Sequence, residues 1–456
     1  MRALPVLVVA LLLSAAVGAA VGLGETAAVE RSPDRTGTAP PALGDPIVAQ
    51  TDDNGSSLGQ INVLDVPAGS VERSGVDEHY VDLGPSVGLS ANATTERFRT
   101  LAMVERVQRA ETTAVRRERL RTALRDLETA VDELDDRQTA AVEAYGQGEL
   151  TARELLVVLV RISIVGEELG ERRARLETLV ADTRGFDVDR GRLASIGNRL
   201  SAFDGPVRAH ARAVLDGEAD PHRFYVATGA KSVVVSTVVD DAYVREAYRG
   251  DLRNGAGDAI ELEVALDIVA DSYPVIWNTT REQTQVFGGG ETYPVRIGHS
   301  RGDLTAFVDS DARLVYAEHQ RHPLEAVIAD RRFEASGEDV RLVVNHTYPG
   351  GPVEVQASDP TTGDPVDATV RIKAGPTPPE RIGTTGSDGT LWTLSPNRQY
   401  TVTVEARGEN VSTVVAPGEP PRVIPDDRSA DGGDTNGTPT GTATMTTTPV
   451  AKLHTR

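Results

Sequence analysis

The residues best suited to hold a metal ion are two histidines near residue 320. His319 and His322 stand three residues apart in EHQRHP with Glu318 beside them, and on one helical turn they would present two ligands to the same ion. A metal site needs at least a third ligand and groups that orient the ligands. The pair instead falls at the end of a predicted strand, before Pro323. We therefore interpret both as surface histidines and predict no metal.

Three further segments carry residue types that bind ions or phosphates. DSDAR at 309–313 and DDRSADGGD at 426–434 could hold Ca²⁺, but neither continues into a loop with glycine at the sixth position and a closing glutamate. FGGGETYPV at 287–295 lacks the Gly-Lys-Ser/Thr of a phosphate loop, so we interpret it as a strand connection. With no nucleophile elbow, H-E-x-x-H or dinucleotide fingerprint, we predict no cofactor and no catalytic residue.

Asparagines in glycosylation triplets are the modification sites that the sequence indicates. Six of the ten asparagines open an Asn-x-Ser/Thr triplet without proline in the middle. This enrichment predicts a glycoprotein surface exposed outside the cell. The six candidates are Asn54, Asn92, Asn278, Asn345, Asn410 and Asn436.

The composition of the 456 residues excludes several classes of protein. Asp and Glu number 68 against 47 Lys and Arg, a net charge of -21, which argues against a nucleic-acid binder. Only three of the cations are lysines, and an acidic, lysine-poor, threonine-rich chain resembles proteins of salt-loving archaea. The other reading is a high-GC genome with an acidic surface. Without cysteine, the chain has no disulfide and no thiolate metal site.

The first residues have the pattern of an export signal. Arg2 precedes an apolar run from Ala3 to about Leu23, with small residues at 18–20. The run is nearly long enough to span a bilayer, so an uncleaved N-terminal anchor is the alternative. Both readings place the remainder outside the cytoplasm, secreted or at the cell surface, and allow membrane contact only through this segment if it stays uncleaved.

Two segments in the first half have the period of long paired helices. The apolar seams alternate spacings of four and three, and a break at GQGE, residues 146–149, separates them. Thr151 and Glu154 form a capping box that opens the second helix. Two such helices joined by a short turn predict an antiparallel hairpin, which resembles a coiled coil. The seams are Leu120, Leu124, Leu127, Val131, Leu134, Gln138, Ala141 and Tyr145, then Leu155, Leu159, Ile162, Gly166, Leu169, Arg173, Leu176 and Val180.

Beyond these helices the pattern changes. We predict two shorter helices at about 188–203 and 206–216, then strands at about 223–228 and 232–239 and a short helix at 241–249. Around the Asp309-Ser310-Asp311 turn the alternation of apolar and polar residues predicts a hairpin. This middle region reads as a small α+β domain in which Trp277 is a core anchor, as is Trp392 in the next domain.

A β-sandwich follows. VEVQASDPTTGDPVDATVRIKA and RIGTTGSDGTLWTLSPNRQYTVTVEA resemble the carboxypeptidase-regulatory-like, transthyretin-type β-sandwich. The resemblance rests on Gly363, Pro365, Ala368, Asp388, Gly389 and Tyr400. It implies a rigid extracellular spacer or adhesion module. The whole order, ending in a Thr-rich tail, is similar to that of haloarchaeal secreted or cell-surface multidomain proteins.

The sequence thus predicts a multidomain α plus β protein with disordered termini. The predicted segments are a signal peptide or N-terminal anchor at 1–24, a disordered or extended linker at 25–90, a helical hairpin or bundle at 91–217, an α+β domain at 218–334, an Ig-like or transthyretin-like β-sandwich at 335–418 and a disordered Thr-rich tail at 419–456.

Three functions remain open at this point. The first is a non-enzymatic, exported cell-surface glycoprotein with a structural or protein-interaction role in an archaeal envelope, with envelope or surface proteins as partners and no nucleic acid. The alternative is an extracellular sensor or ligand-binding protein that uses the 218–334 domain. The third is an enzyme built from dispersed Asp, Glu and His side chains. Oligomeric state stays open, because heptad seams can pair within a chain or between chains.

Overall fold

The computed structural model describes residues 60–186, 190–254, 258–279 and 284–423. The N-terminal apolar run, the sequons at Asn54 and Asn436, the aspartates at 426–434 and the Thr-rich tail lie outside these residues. Within them, helices, antiparallel sheets and a C-terminal β-sandwich confirm the predicted α plus β fold class.

An eight-stranded antiparallel sheet forms the centre of the fold. Its spatial order is β1-β2-β3-β4-β8-β7-β6-β5. The predicted Asp309 turn joins β7 to β8, with Asp309 paired to Leu314. The strands are β1 (Arg73–His79), β2 (His222–Gly229), β3 (Ser232–Val239), β4 (Ala242–Arg249), β5 (Thr284–Val286), β6 (Thr292–His299), β7 (Gly302–Asp309) and β8 (Leu314–Pro323).

Strand β4 corrects the helix predicted at 241–249. Its sequence AYVREAYR contains good helix formers, but every residue is buried and each face of the strand contacts a different layer. Pairing with β3 on one side and β8 on the other satisfies its backbone, so tertiary context overrides the local preference.

Five helices pack as a bundle on one face of the sheet. The capping box is confirmed: Glu154 N donates to Thr151 Oγ1 at 3.2 Å, and Thr151 N donates to Glu154 Oε2 at 2.8 Å. Where α2 meets α3 within one chain, the predicted seam of α2 is buried, as is that of α3 except for Arg173 and Val180, which are partly buried. The helices are α1 (Leu83–Gln108), α2 (Thr113–Gly146), α3 (Ala152–Ala181), α4 (Arg190–Ser201) and α5 (Pro206–Asp216). Two short helices, α6 (Leu262–Ser272) and α7 (Pro274–Thr279), lie after β4 in the chain.

Residues 60–90 differ from the linker predicted there. β1 pairs with β2 along its whole length, and α1 begins at Leu83, inside the predicted linker. Val63, Leu64 and Val66 are buried. The prediction failed because the backbone of 60–66 makes its contacts with residues hundreds of positions away, which no local pattern reports.

The C-terminal β-sandwich consists of two four-stranded sheets, ordered β14-β11-β10-β9 and β13-β12-β15-β16. Their inner faces form one apolar cluster that includes Tyr400. Gly389, one of the residues behind the resemblance, has a φ of 72° in the turn before β14. The strands are β9 (Arg331–Ser336), β10 (Arg341–His346), β11 (Pro352–Ser358), β12 (Thr369–Ala374), β13 (Glu380–Thr384), β14 (Thr390–Leu394), β15 (Tyr400–Ala406) and β16 (Glu409–Val415).

The central sheet is covered on both faces. Phe224, Val226 and Val244 face the helical bundle, whereas Tyr225 and Tyr243 pack with residues of α6 and with Leu394 of the sandwich. Because successive residues of a strand point to opposite faces, each strand supplies side chains to both cores. The structure therefore has three layers: the bundle, the sheet, and the sandwich together with α6 and α7.

Candidate functional site

The predicted histidine pair does not converge on one point. His319 and His322 lie on β8 three residues apart, so their side chains leave opposite faces of the strand. His322 is buried, with its ring nitrogens 2.9 Å from the Arg301 carbonyl oxygen and 2.7 Å from Gln320 Oε1. The interpretation of His322 as a surface residue was wrong, because β8 is an interior strand between β4 and β7.

Their neighbour Glu318 is the centre of a buried polar network. Its side chain has no solvent exposure and pairs with Arg245 of β4. Glu318 Oε2 accepts hydrogen bonds from Leu64 N at 2.9 Å, from the Tyr273 hydroxyl at 2.6 Å and from Gln320 Nε2 at 3.0 Å. One carboxylate therefore joins two strands, the end of α6 and the segment 60–66.

The charges of this network compensate one another. Burial raises the pKa of the Glu318 carboxyl, and Arg245 and the bonded Tyr273 hydroxyl oppose the rise. Arg245 Nη2 also lies 3.2 Å from Asp65 Oδ1, and burial raises the pKa of Asp65 as well. A desolvated charge with incomplete pairing is costly, so removal of Arg245 would leave two carboxylates without their main partner.

The residue after Arg245 builds a second junction on the opposite face. Glu246 is buried and accepts from Arg208 of α5 through the backbone N and Nε, both at 2.9 Å. Arg208 Nη2 donates to Gln138 Oε1 of α2 at 2.8 Å. Gln138, a polar residue in the apolar seam of α2, is thus connected to the sheet through Arg208. Adjacent residues of β4 thus form charge-assisted hydrogen bonds on the two faces of the sheet.

The sandwich contacts the sheet through the loop after β10. The Gly350 carbonyl oxygen accepts from Ser236 Oγ at 2.6 Å and from the Tyr243 hydroxyl at 2.9 Å. Gly350 has a φ of 74°, and a Cβ there would lie 2.5 Å from the Tyr225 ring. Only glycine fits this position. Trp392 packs on the same side of the sheet as Trp277, so it anchors the layers to each other rather than the sandwich interior.

A polar cleft of about 1110 Å³ lies between the bundle and the sheet. Arg199 pairs with Asp132 at 2.7 Å and with Asp135 at 2.9 Å. Asp135 also pairs with Arg253 and accepts from the Tyr248 hydroxyl at 3.0 Å. Arg199, Arg253 and the carboxylates of Asp132 and Asp135 are thus bound to one another.

The glycine-rich segment at 287–295 borders this cleft. Gly289 and Gly290 have φ values of 136° and 77°, and a Cβ on Gly290 would lie 2.3 Å from Ser195 Oγ of α4. The segment is a strand connection, as predicted, and joins β5 to β6. Burial raises the pKa of the adjacent Glu291, while Arg199 and Arg253 oppose that rise. The cleft offers ion pairs and hydrogen-bonding groups for recognition, and it pairs no nucleophile with a base.

The remaining predicted site residues are dispersed. Asp309 accepts from the backbone N of Asp311 at 3.1 Å and of Ala312 at 2.8 Å, so its carboxylate closes the turn. Among the residues described, no group of three or more His, Asp or Glu side chains is placed to hold a metal ion.

The sequons in the described residues differ in accessibility. Asn278 ends α7 and Asn410 opens β16 beside the Arg407-Gly408 turn, and both are exposed. Asn92 Nδ2 donates to the Gly88 carbonyl oxygen at 2.8 Å inside α1. Asn345 Nδ2 donates to Glu354 Oε2 at 2.8 Å on β10.

A buried histidine on β1 makes folding sensitive to acid. His79 is 1% exposed, neither of its ring nitrogens has a hydrogen-bond partner, and its edge meets the Phe224 ring. Burial lowers the pKa of His79 from 6.5 to about 4. The charge of Asp77 raises this pKa, and the charge of Arg153 lowers it further. The folded protein therefore holds this imidazole neutral.

We expect His79→Phe to reduce the loss of stability in acid. The folded protein holds the His79 imidazole in its neutral form. The contribution of this histidine to folding stability is therefore complete above pH 6.5 and is lost as the pH falls from 6.5 towards about 4. One such histidine contributes up to about 1.4 kcal/mol per pH unit to the slope of the free energy of unfolding against pH. Denaturant titrations at pH 7, 6 and 5 in constant salt measure it. An unchanged slope in the variant would contradict the assignment.

Sequence reasoning missed the residues that organise the junctions. Arg245 and Glu246 are adjacent charges in AYVREAYR, Arg208 lies in a predicted helix, and Glu318 was considered only beside the histidine pair. The available signal was the two charges of AYVREAYR, since a charged residue in a strand buried on both faces needs a buried partner. Their pairing could not be deduced, because the partners lie on separate elements.

Three family comparisons cover most of the chain. Residues 1–220 match a domain of unknown function, DUF7096. Residues 224–327 match a family of unknown function, DUF7094. Residues 333–413 match the archaeal fibronectin-III type-like domain. No curated protein and no solved structure matches the chain.

These matches define a class of protein. They are consistent with an archaeal multidomain protein, and the β-sandwich matches a fibronectin-III type-like domain, with no match to a transthyretin-type family. Two domains of unknown function beside a fibronectin-III-like domain suggest a non-catalytic structural or interaction role, and no enzyme family is among the matches.

Across the stretches of chain that the structure describes, no helix combines the length and the apolar character needed to cross a membrane.

Proposed function

We propose that this protein is an exported, non-enzymatic surface glycoprotein of a salt-loving archaeon, with a structural or protein-interaction role in the envelope and envelope or surface proteins as partners. The observation that carries the proposal is the pair of buried charge junctions on β4: Glu246 binds Arg208 of the bundle, and Arg245 pairs with Asp65 and with Glu318, which in turn accepts from Tyr273 at the end of α6. Such junctions suit a rigid body that presents surfaces to partners.

Sequence features support the location. The N-terminal apolar run favours export, and the sequons favour a glycosylated surface. The acidic, lysine-poor composition suits concentrated salt. The fibronectin-III-like domain is of a type that is commonly extracellular.

The ligand-binding alternative depends on the cleft between α2, α4 and the sheet. Its volume would admit a ligand of small to moderate size. The two arginines at its centre, Arg199 and Arg253, are however already paired with Asp135 within the chain. We therefore prefer the interaction role, which needs no vacant binding group.

The experiment that tests the proposal is the intact mass of the protein from washed envelopes and from culture medium. We expect a chain that begins near residue 19–21 and carries glycan mass. Asn410→Gln should remove one glycan, because this exposed side chain is accessible. Asn345→Gln, whose amide is already hydrogen-bonded, serves as the control and should change nothing. A chain that begins at Met1 without added sugar would overturn the export and glycoprotein assignments.

A further inference from the structure

Helix α1 carries an apolar stripe that is exposed in the part of the chain that the structure describes. Leu83, Val87, Phe98 and Leu101 are 76%, 68%, 66% and 63% exposed. At 3.6 residues per turn all four fall within one narrow face. Exposed large apolar residues are normal singly, but four in a row along one helix mark an interaction site.

The stripe is separate from the side of α1 that packs within the chain. Leu89, Ala93, Met103 and Val107 are the buried apolar residues of this helix, and α1 uses them to pack in the bundle. The two sets lie about 145° apart around the helix axis. The exposed set therefore remains as a second seam, and among the described residues no element covers it.

Side-chain sizes along the stripe indicate what covers it. Exposed small residues lie beside the large ones along this face, Ala91 and Ala102 next to Val87 and Phe98. In an antiparallel pair of α1 helices centred between Thr94 and Thr95, Phe98 of each copy faces Ala91 of the other. A parallel pair would stack Phe98 on Phe98 and leave the small residues facing one another. Large against small is the arrangement that packs without voids.

The charges at the two ends favour the same orientation. Exposed Asp77 and Glu78 lie on β1, which ends four positions before α1 begins at Leu83. Arg99, Arg106 and Arg109 are exposed towards the C-terminal end of α1, against the exposed glutamates Glu105 and Glu111. Antiparallel packing brings the acidic end of one copy to the basic end of the other, whereas parallel packing joins like charges.

We propose that α1 is a homodimerisation surface: two copies of this chain pack α1 against α1, antiparallel, about a two-fold axis at Thr94–Thr95. The inference rests on the interaction role proposed above and names the partner as a second copy of the chain. A two-fold interface uses the same patch on both subunits, as this self-complementary stripe requires.

The first test measures the mass of the full chain in solution by light scattering in concentrated salt. We expect about twice the 48.5 kDa of one chain. Phe98→Glu with Leu101→Glu should give the mass of one chain with an unchanged circular dichroism spectrum, since both side chains are exposed. Val414→Glu, at an exposed apolar residue of the sandwich, is the matched control and should remain dimeric.

The second test fixes the orientation by crosslinking. The chain has no cysteine, so each introduced thiol is the only one present. Thr94→Cys should form a disulfide between two copies under mild oxidation. Val87→Cys should not, because the two positions would be about 20 Å apart along antiparallel helices. A crosslink at both positions would indicate parallel packing and overturn the proposed arrangement.

A wild-type protein with the mass of one chain overturns the inference, whether or not it binds phosphatidylglycerol vesicles or another protein through the stripe. A dimer that survives Phe98→Glu with Leu101→Glu overturns it as well. Neither result changes the intact mass of the chain, which reports on signal cleavage and glycosylation. A failure here is therefore distinguishable from a failure of the proposed function.

Discussion

Replacing Arg245 with methionine is expected to lower the free energy of unfolding by about 3–5 kcal/mol. The substitution retains most of the side-chain volume but leaves Glu318 and Asp65 in a desolvated site without their cation. Denaturant unfolding in constant salt measures the loss. Trp277 and Trp392 pack against the same apolar cluster as Tyr273, so their fluorescence reports on this part of the fold.

Two further variants separate charge from packing. The double variant Arg245→Met with Glu318→Gln should be more stable than Arg245→Met alone, because it removes the uncompensated charge. Arg137→Met is the matched control: its pair with Glu133 is more than half exposed, and such pairs contribute at most about 1 kcal/mol. If Arg245→Met costs no more than Arg137→Met, the buried junction does not hold the layers together.

Introducing aspartate at Leu169 should unfold the helical bundle. Leu169 of α3 is fully buried in the same apolar cluster as Leu127 of α2. A carboxylate there has no partner, so we expect a loss above about 4 kcal/mol and a large decrease in helical circular dichroism. Leu127→Asp should act in the same way, since the two seams pack against each other within one chain.

The control for this pair is Val115→Asp on the exposed side of α2, where 42% of the residue is accessible. We expect a change within about 0.5 kcal/mol. The junction between Arg208, Gln138 and Glu246 also predicts that the bundle and the sheet unfold together. Tryptophan fluorescence and circular dichroism should then give one transition, and two separate transitions would contradict that coupling.

Patterns of short range were sufficient for much of this fold. The four-three seams of α2 and α3, the Thr151 capping box and the turn at Asp309 each follow from residues within a few positions of one another. The β-sandwich was also predictable, because apolar and polar residues alternate along its strands. Turn residues such as Gly363 and Gly389 separate these strands. Each of these signals lies between residues that are close to one another in the sequence.

What the sequence by itself determined is therefore the fold class, the paired helices and the sandwich. Only the tertiary structure decided that 242–249 is a strand, that residues 73–79 pair with the central sheet, and that the apolar stripe of α1 is exposed among the described residues. It also decided the pairing of Glu318 with Arg245 and of Glu246 with Arg208. The reason is physical: burial on both faces and the partner of a buried charge depend on elements far apart in the chain, and no residue's neighbours in sequence carry that information.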